Sequence, residues 1–544
     1  MTADKDKPVI WSIAGNDTGG GAGLTADQRA ADAFGVHLCP VVAALTAQNS
    51  RGVADIYAVP YAQLQSQLAA LADDLPPRVI KTGLLSNAQQ VRLVAEWVDR
   101  LRQQGLLALV VDPVLVASTG APFADAATLH AYRDLLLPRA TLLTPNRREA
   151  GRLTDADDSV SVADLAARLR QHGTAAVCIT GGDDAAHQHN VAADWLDAPE
   201  AAGWLALPRL NTHHTHGTGC TFATSAAAAL ALGFVTADAV VLAKMATAHA
   251  LHHGYAAGQG AGPVWAQPGF GTEPELMPFL SWPDDADLPP WWQGVQARWA
   301  APAPQQELGL YALVDSAERI QQALAAGVRT LQLRIKTPHE PDDAWYAQLR
   351  QTVARSAALC QQAGARLFIN DHTALALEMG RSPADALGLH LGQEDLAALG
   401  VQGRIQVATS GLGLGVSSHS LWELARARSL DPVYIACGPV WPTQTKEMPW
   451  RAQGIDNLAW WVHMAGCPVV AIGGILQPAQ IAQTAATGAG GLCVVRGLGD
   501  DLAVTVPALQ QAIAEGSARA RAPVPALPHP SLPNRLRVGY VPYS

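Results

Sequence analysis

A glycine-flanked hydroxyl and a thiol, THGTGC at residues 215–220, run straight into an alanine-rich segment. Glycines let a backbone approach an anion closely, and a helix starting there aims free N–H groups and its positive end at that anion. Thr218 adds a hydroxyl donor. Cys220 has three readings: general base, covalent nucleophile or packed side chain. At a helix N-terminus its thiol pKa is expected to be lowered, and a thiolate could take a proton from a substrate hydroxyl. Covalent catalysis would need a partner constellation that the sequence does not specify, since His216 is a neighbour only along the chain. A second glycine-rich turn, AGNDTGGGAGLTAD at 14–27, also opens a helical pattern. Asp112 in VDPV and the Asn146/Glu149 pair in TPNRREA are hard oxygen ligands suited to Mg2+ and its waters beside a nucleotide. Alternatively, Asp112 caps a turn, and Asn146 with Glu149 forms a helix capping box.

The second half carries a different set. Gln332, Arg334 and Lys336 alternate in LQLRIK, so all three are expected on one face, which would place two cations inside a barrel. INDH supplies Asn370 and Asp371, and HLGQED supplies Gln393, Glu394 and Asp395. GVSSH supplies Ser417, and GPVWPTQTKEMPW supplies Thr443, Thr445 and Lys446. IGGI, with Gly474, and VVRGLG, with Arg496, end the last two strand patterns. Carboxylates for Mg2+, with cations, hydroxyls and a glycine turn for phosphate oxygens, make a site for a diphosphate and a monophosphate together.

These residues need elements that hold them. Over residues 8–265, buried β-branched runs alternate with helical patterns at 61–73, 87–104 and 161–172. That is the signature of a doubly wound, mostly parallel α/β sheet. From residue 307 to 520, eight strand patterns alternate with helices: LYALV, TLQLRI, RLFIN, ALGLHL, LGLGV, VYIAC, VVAIGG and LCVVRG. They predict a (β/α)8 barrel with its chemistry at the strand C-termini. The Pro- and Trp-rich stretch 266–306 reads as a linker whose tryptophans (Trp282, Trp291, Trp292, Trp299) pack on a domain surface. The Pro-rich tail 521–544 reads as an irregular extension.

The strings AGNDTGGGAG, ALTAQNSRGV, IKTGLL, VDPVLVASTG, LLTPNRREA and NTHHTHGTGCT together resemble the bacterial hydroxymethylpyrimidine/phosphomethylpyrimidine kinases, of the ribokinase-like superfamily, over about residues 8–260. The resemblance implies two successive ATP-dependent phosphorylations of hydroxymethylpyrimidine. It places Gln48 at the pyrimidine edge, Gly217, Thr218 and Gly219 in an anion hole, and Cys220 at the catalytic position. Thr180 departs from the family's lysine at that place. Residues 308–515 resemble thiamine phosphate synthase, which joins the pyrimidine diphosphate to thiazole phosphate and releases diphosphate. That likeness implies Mg2+ on Asp371 and Asp395. It puts Gln332, Arg334, Lys336, Asn370 and Lys446 around the pyrimidine diphosphate, with Lys446 and Ser417 serving catalysis. Thr443, Thr445 and Gly474 would take the thiazole phosphate. Arg496 replaces the usual serine and could contact the same phosphate.

Composition agrees with an enzyme of small molecules. Of 544 residues, 49% are hydrophobic and 15% charged, enough apolar material for large cores. A formal net charge of −10, with no basic run, argues against a nucleic-acid partner. Seven scattered cysteines fit a reducing compartment, and no apolar run reaches membrane-spanning length, so a cytoplasmic protein is expected. The histidine pairs 213–214 and 252–253 and the 187–189 cluster lack matched ligands, so no metal is assigned to them. The leading reading is a fused kinase and synthase using ATP and Mg2+ on small-molecule substrates, with homo-oligomerisation open. The alternatives are one active domain joined to a scaffold, or a ligand sensor without turnover.

Overall fold

A computed structural model describes residues 7–115, 124–181, 190–285, 287–300, 307–380, 387–442 and 449–533. The chain divides into two compact units, one running to Pro289 and the other spanning Pro290–Ser531. Among the described residues, no helix is long and apolar enough to cross a membrane.

In the first unit ten strands form one sheet: β1 (Val9–Asp17), β2 (His37–Asn49), β3 (Gly52–Ala58), β4 (Val79–Thr82), β5 (Ala108–Val111), β6 (Leu142–Leu143), β7 (Val177–Ile179), β8 (Val191–Asp197), β9 (Ala202–Pro208) and β10 (Phe279–Leu280). Their order is β10-β9-β8-β7-β6-β5-β4-β1-β2-β3. The run from β2 through β1 and β4 to β7 is parallel, as expected for apolar strands covered by helices on both faces. β3, β8, β9 and β10 add antiparallel edges. The strand order reverses at β1, which has β2 on one side and β4 on the other. In doubly wound sheets the crevice at such a switch point is where ligands bind.

The second unit closes a barrel from β11 (Gly309–Val314), β12 (Thr330–Leu333), β13 (Arg366–Asn370), β14 (Leu387–Leu391), β15 (Gly413–Ser418), β16 (Tyr434–Cys437), β17 (Val469–Ile472) and β18 (Gly491–Val494). All eight expected strands are present and every neighbouring pair is parallel. Tyr311, Phe368, Tyr434, Val470 and Cys493 fill the interior. Gly415 has no side chain because the Tyr434 ring lies across it, where a Cβ would collide with the ring.

The 266–306 stretch is not a plain linker. β10 extends the first sheet, and Trp282 is 2% exposed. The helix Leu288–Ala300 lies almost wholly in the second unit, within which Arg298 donates to the Ser429 carbonyl and Trp299 Nε1 to the Arg428 carbonyl. Trp299 is thus held by the second unit's own packing. Residues 521–533 form no helix or strand, and His529 N donates to Asn457 Oδ1 at 2.8 Å.

Candidate active sites

Both glycine turns of the first unit lie where strands end and helices begin, but they are built differently. After β1, the chain wraps the Asp17 carboxylate. Oδ1 accepts from Gly19 N at 2.8 Å, and Oδ2 from Gly21 N at 3.1 Å and Ala22 N at 2.8 Å. These N–H groups are spent on an internal carboxylate, so the anion-binding expectation for this turn is corrected. Burial works against the Asp17 carboxylate, but the His216 hydrogen bond and the N–H groups of Gly19 and Ala22 hold it below the usual range. His216 Nε2 stands 2.9 Å from Asp17 Oδ2 and 3.4 Å from Gln48 Nε2, which ties the expected pyrimidine-binding Gln48 to both turns.

The second turn is open. Gly217 precedes the helix Thr218–Ala231 with φ 88°, and a Cβ there would run into the Gly21 carbonyl. Glycine is thus required by conformation and by contact with the first turn. Thr218, Gly219 and Cys220 form the first turn of the helix, whose N–H groups have no carbonyl within it to receive them. This is the turn the sequence assigns to an anion; within it the Thr218 N–H also reaches the Thr215 carbonyl at 3.4 Å.

Beneath it lies a buried charge cluster. Lys81, in β4, is 0% exposed, and its Nζ sits 3.0 Å from Asp27 Oδ1 and 3.7 Å from Asp112 Oδ2. Ser12 and Thr224 donate to Asp27 at 2.6 and 2.7 Å. Burial opposes the Lys81 charge, but Asp27, Cys220 and Asp112 together keep the ammonium above its ordinary range. Asp112 is pushed up to about 6 by burial, against the pull of Lys81. Cys220 keeps some solvent exposure, yet burial pushes its thiol up to about 12. Lys81 and a hydrogen bond from Gly23 N–H pull it down, while Asp27 and Asp112 add to the rise. The expected lowered thiol pKa is therefore overturned: burial beside two carboxylates outweighs the helix end and the lysine.

Asn146 and Glu149 form the capping box of the helix Arg147–Thr154, with Glu149 N donating to Asn146 Oδ1 at 2.9 Å and Asn146 N to Glu149 Oε2 at 3.0 Å. Their structural alternative is realised. Thr180 bridges to Asn146 and gives its N–H to the Pro145 carbonyl at 2.9 Å.

In the barrel, β12 ends at Leu333. Gln332 is interior, whereas Arg334 and Lys336 follow the strand and are exposed. The expectation of two interior cations is corrected: alternation stops with the strand and both groups are exposed beyond its end, Arg334 near enough to act on Asp371 and His390. Asn370 closes β13 and is buried. Asp371 follows it with φ 66°, a left-handed conformation that aspartate tolerates better than most residues. Asp371 and Asp395 line one cleft of about 490 Å³ with Tyr346, Arg350, His372 and Thr373. Burial, then the Asp395 charge, holds the Asp371 carboxyl above its usual range, with Arg334 opposing. Asp395 also accepts from Gly392 N at 2.9 Å, which fixes its place at the start of the helix Gln393–Ala398. Two neighbouring carboxylates, with the ionisation of Asp371 opposed by the Asp395 charge, fit a hard divalent cation. Among the described residues no third acidic, His or Cys ligand joins them.

Ser417 Oγ lies 3.0 Å from Nε2 of His390, a β14 side chain that the sequence reading passed over. Burial first, then Arg334 and His419, push the His390 pKa down to about 4, so the ring is neutral. Gly474 follows β17, its carbonyl accepting from Gln480 Nε2 at 3.2 Å. Arg496 is exposed and starts the short turn Arg496–Leu498 after β18. Thr443, Thr445 and Lys446 lie outside the described residues. The missed groups had one visible signal: Asp17 (strand-terminal), Lys81 and His390 are polar residues in otherwise apolar strand patterns, costly unless paired.

Comparison with known proteins matches this division. Residues 17–265 match the family model for phosphomethylpyrimidine kinase, and residues 310–498 match that for thiamine monophosphate synthase. A "Probable thiamine biosynthetic bifunctional enzyme, chloroplastic" of Oryza sativa subsp. japonica is 34% identical over 86% of this chain and 81% of its own length. The "Thiamine biosynthetic bifunctional enzyme TH1, chloroplastic" of Arabidopsis thaliana is 32% identical over 91% and 90% respectively. A crystal structure of an ADP complex of Bacillus subtilis pyridoxal kinase is 29% identical, with a TM-score of 0.44, covering 48% of this chain and 97% of that one.

Proposed function

We propose, on the premise that this chain belongs to the family of bifunctional thiamine biosynthetic enzymes, a division of labour along it. The chain is a bifunctional enzyme of thiamine biosynthesis. Its first unit, a ribokinase-like α/β fold, is a hydroxymethylpyrimidine/phosphomethylpyrimidine kinase, and its barrel is a thiamine phosphate synthase. The product of the first is the diphosphate substrate of the second. The observation that carries this reading is the pairing, on one chain, of an open helix N-terminus at Gly217–Cys220 with a barrel cleft holding Asp371 and Asp395.

In the kinase, ATP supplies the phosphoryl group. Gln48 takes the pyrimidine edge, and Gly217, Thr218 and Gly219 present N–H groups to phosphate oxygens as charge builds on them. Cys220, in its thiolate form, takes the proton of the substrate hydroxyl. Asp112, beside Lys81, stands where a nucleotide-bound cation would be met, and the Asn146/Glu149 capping box holds the neighbouring helix in place.

In the synthase, Asp371 and Asp395 would hold Mg2+, which supplies charge neutralisation to the departing diphosphate. Arg334 and Lys336 are exposed at the strand end and free to turn onto the diphosphate. Gln332 and Asn370 are buried beside them and orient the pyrimidine. Lys446 adds charge compensation, and Thr443, Thr445 and Gly474 take the thiazole phosphate. The test supplies hydroxymethylpyrimidine diphosphate and thiazole phosphate directly. Asp371→Ala and Asp395→Ala should each raise the Mg2+ concentration needed for half-maximal synthase rate and lower the rate at saturation, leaving the kinase half-reaction at parent level. Parent-like Mg2+ dependence in both variants would contradict the assignment. This assay also distinguishes the alternative of a barrel that serves only as scaffold or sensor, which makes no thiamine phosphate.

Arg496 gives a separate expectation. A charge-assisted hydrogen bond is worth about 1.5–3 kcal/mol, or roughly tenfold to over a hundredfold in affinity. Arg496→Ser should raise KM for thiazole phosphate and leave kcat at saturation near the parent value. An unchanged KM would leave Arg496 as a solvated surface residue, and a collapse of kcat would place it in the transition state.

A further inference from the structure

Five side chains form one continuous hydrogen-bonded line through the barrel interior. Gln332 Nε2 donates to the Tyr311 hydroxyl at 3.3 Å, and the Tyr311 and Tyr434 hydroxyls are 2.8 Å apart. The Tyr434 hydroxyl is 2.8 Å from His390 Nδ1, and His390 Nε2 is 3.0 Å from Ser417 Oγ. Tyr311 and Tyr434 are each 1% exposed, Gln332 3% and His390 8%. The four members behind Ser417 are therefore cut off from bulk water, and each hydroxyl and ring proton of the line must find its acceptor within it.

With the Gln332 amide nitrogen facing Tyr311, that requirement sets a direction. With Gln332 donating to the Tyr311 oxygen, Tyr311 can place its own proton on Tyr434. Tyr434 then donates to His390 Nδ1, which must be unprotonated, so the single ring proton sits on Nε2 and points at Ser417 Oγ. Run the other way, the line would aim two donors at the Tyr311 oxygen and leave the Tyr311 proton buried without an acceptor, a costly arrangement. The outward direction satisfies every hydroxyl and ring donor of the line. Ser417 alone reaches solvent among the five, being only half-buried. Its oxygen is occupied by the His390 N–H, so its own proton is left for the site.

We propose that Gln332, Tyr311, Tyr434 and His390 act as a polarised relay that makes Ser417 an obligate hydrogen-bond donor toward the bound substrate. His390 and Tyr434 are positioning residues acting through Ser417. This inference rests on the barrel being the synthase site. There a donor hydroxyl is worth most as negative charge grows on the leaving diphosphate, so the relay should act on kcat more than on substrate binding. Without Tyr434, His390 can adopt the other tautomer. Ser417 then gives its proton to the ring and turns an acceptor to the substrate.

The full-length chain, labelled with 15N in its histidines, tests the direction directly. The His390 signal, identified by its loss in His390→Gln, should show the Nε2–H tautomer, and an Nδ1–H tautomer would overturn the relay. Synthase assays with both substrates supplied test the consequence. Tyr434→Phe and Ser417→Ala should each lower kcat by about tenfold to a hundredfold, with little change in KM. The double variant should be no slower than Ser417→Ala, because the two act as one unit. Parent kcat in Tyr434→Phe, or additive losses, would contradict the relay while leaving the synthase assignment intact. Parent activity in Ser417→Ala would instead remove the barrel site as placed, and the relay with it.

Discussion

Cys220→Ala is expected to lower the kinase rate by about 10²–10⁴-fold, the usual effect of removing a general base, and to leave the synthase step untouched. The thiol is held up to about 12 by burial, so at neutral pH nearly all of the free enzyme carries it protonated. The reactive form is the thiolate, whose fraction rises about tenfold per pH unit below that value. The kinase kcat/KM, which reports ionisations of the free enzyme, should therefore climb with pH well past 9. A lowered thiol pKa would instead give a plateau above neutrality. In Cys220→Ala the alkaline rise should disappear. Near-parent turnover in a folded Cys220→Ala variant, or a flat profile in the parent, would remove Cys220 from its proposed role.

Lys81→Met is expected to cost about 3–5 kcal/mol of stability in the first unit, because it strands a buried carboxylate. Asp27 and Lys81 are both 0% exposed. Asp27 belongs to the helix Gly23–Phe34, Lys81 to β4, Ser12 to β1 and Thr224 to the helix Thr218–Ala231, so this one cluster ties together the elements that carry both glycine turns. For a unit of this size the thermal transition should fall by on the order of 10 °C. Adding Asp27→Asn to Lys81→Met should recover part of the loss, since the orphaned charge is then gone. A transition for Lys81→Met within about 1 °C of the parent would show that the cluster is not a structural tie.

The parallel strands of both units were legible because apolar runs covered on two faces have no other reading. The barrel closed with all eight expected strands. The antiparallel edges were less legible. β3 has no fully buried residue and therefore no hydrophobic signature, and β10 is two residues inside a proline-rich stretch. The site was visible as residue types at strand ends, and the structure does bring Asp371 to Asp395, and Gln48 to the glycine turns through His216. What failed were inferences that extended a local pattern beyond its physical basis. Alternation placed Arg334 and Lys336 inside a barrel, but the strand stops at Leu333. A helix N-terminus lowers a thiol pKa, but burial raises that of Cys220, and Asp27 and Asp112, distant in sequence, add to the rise. The glycines of the first turn could face an anion, but the anion they face is Asp17 of the same loop. Each of these depends on packing partners that no local window contains.

The most direct test of the account supplies hydroxymethylpyrimidine, thiazole phosphate, ATP and Mg2+ to the purified full-length chain and follows every phosphorylated pyrimidine with time. The account predicts that monophosphate and then diphosphate appear, that thiamine phosphate follows, and that one polypeptide suffices. Diphosphate that accumulates beside unused thiazole phosphate, or thiamine phosphate that forms only when the diphosphate is added ready-made, would contradict it.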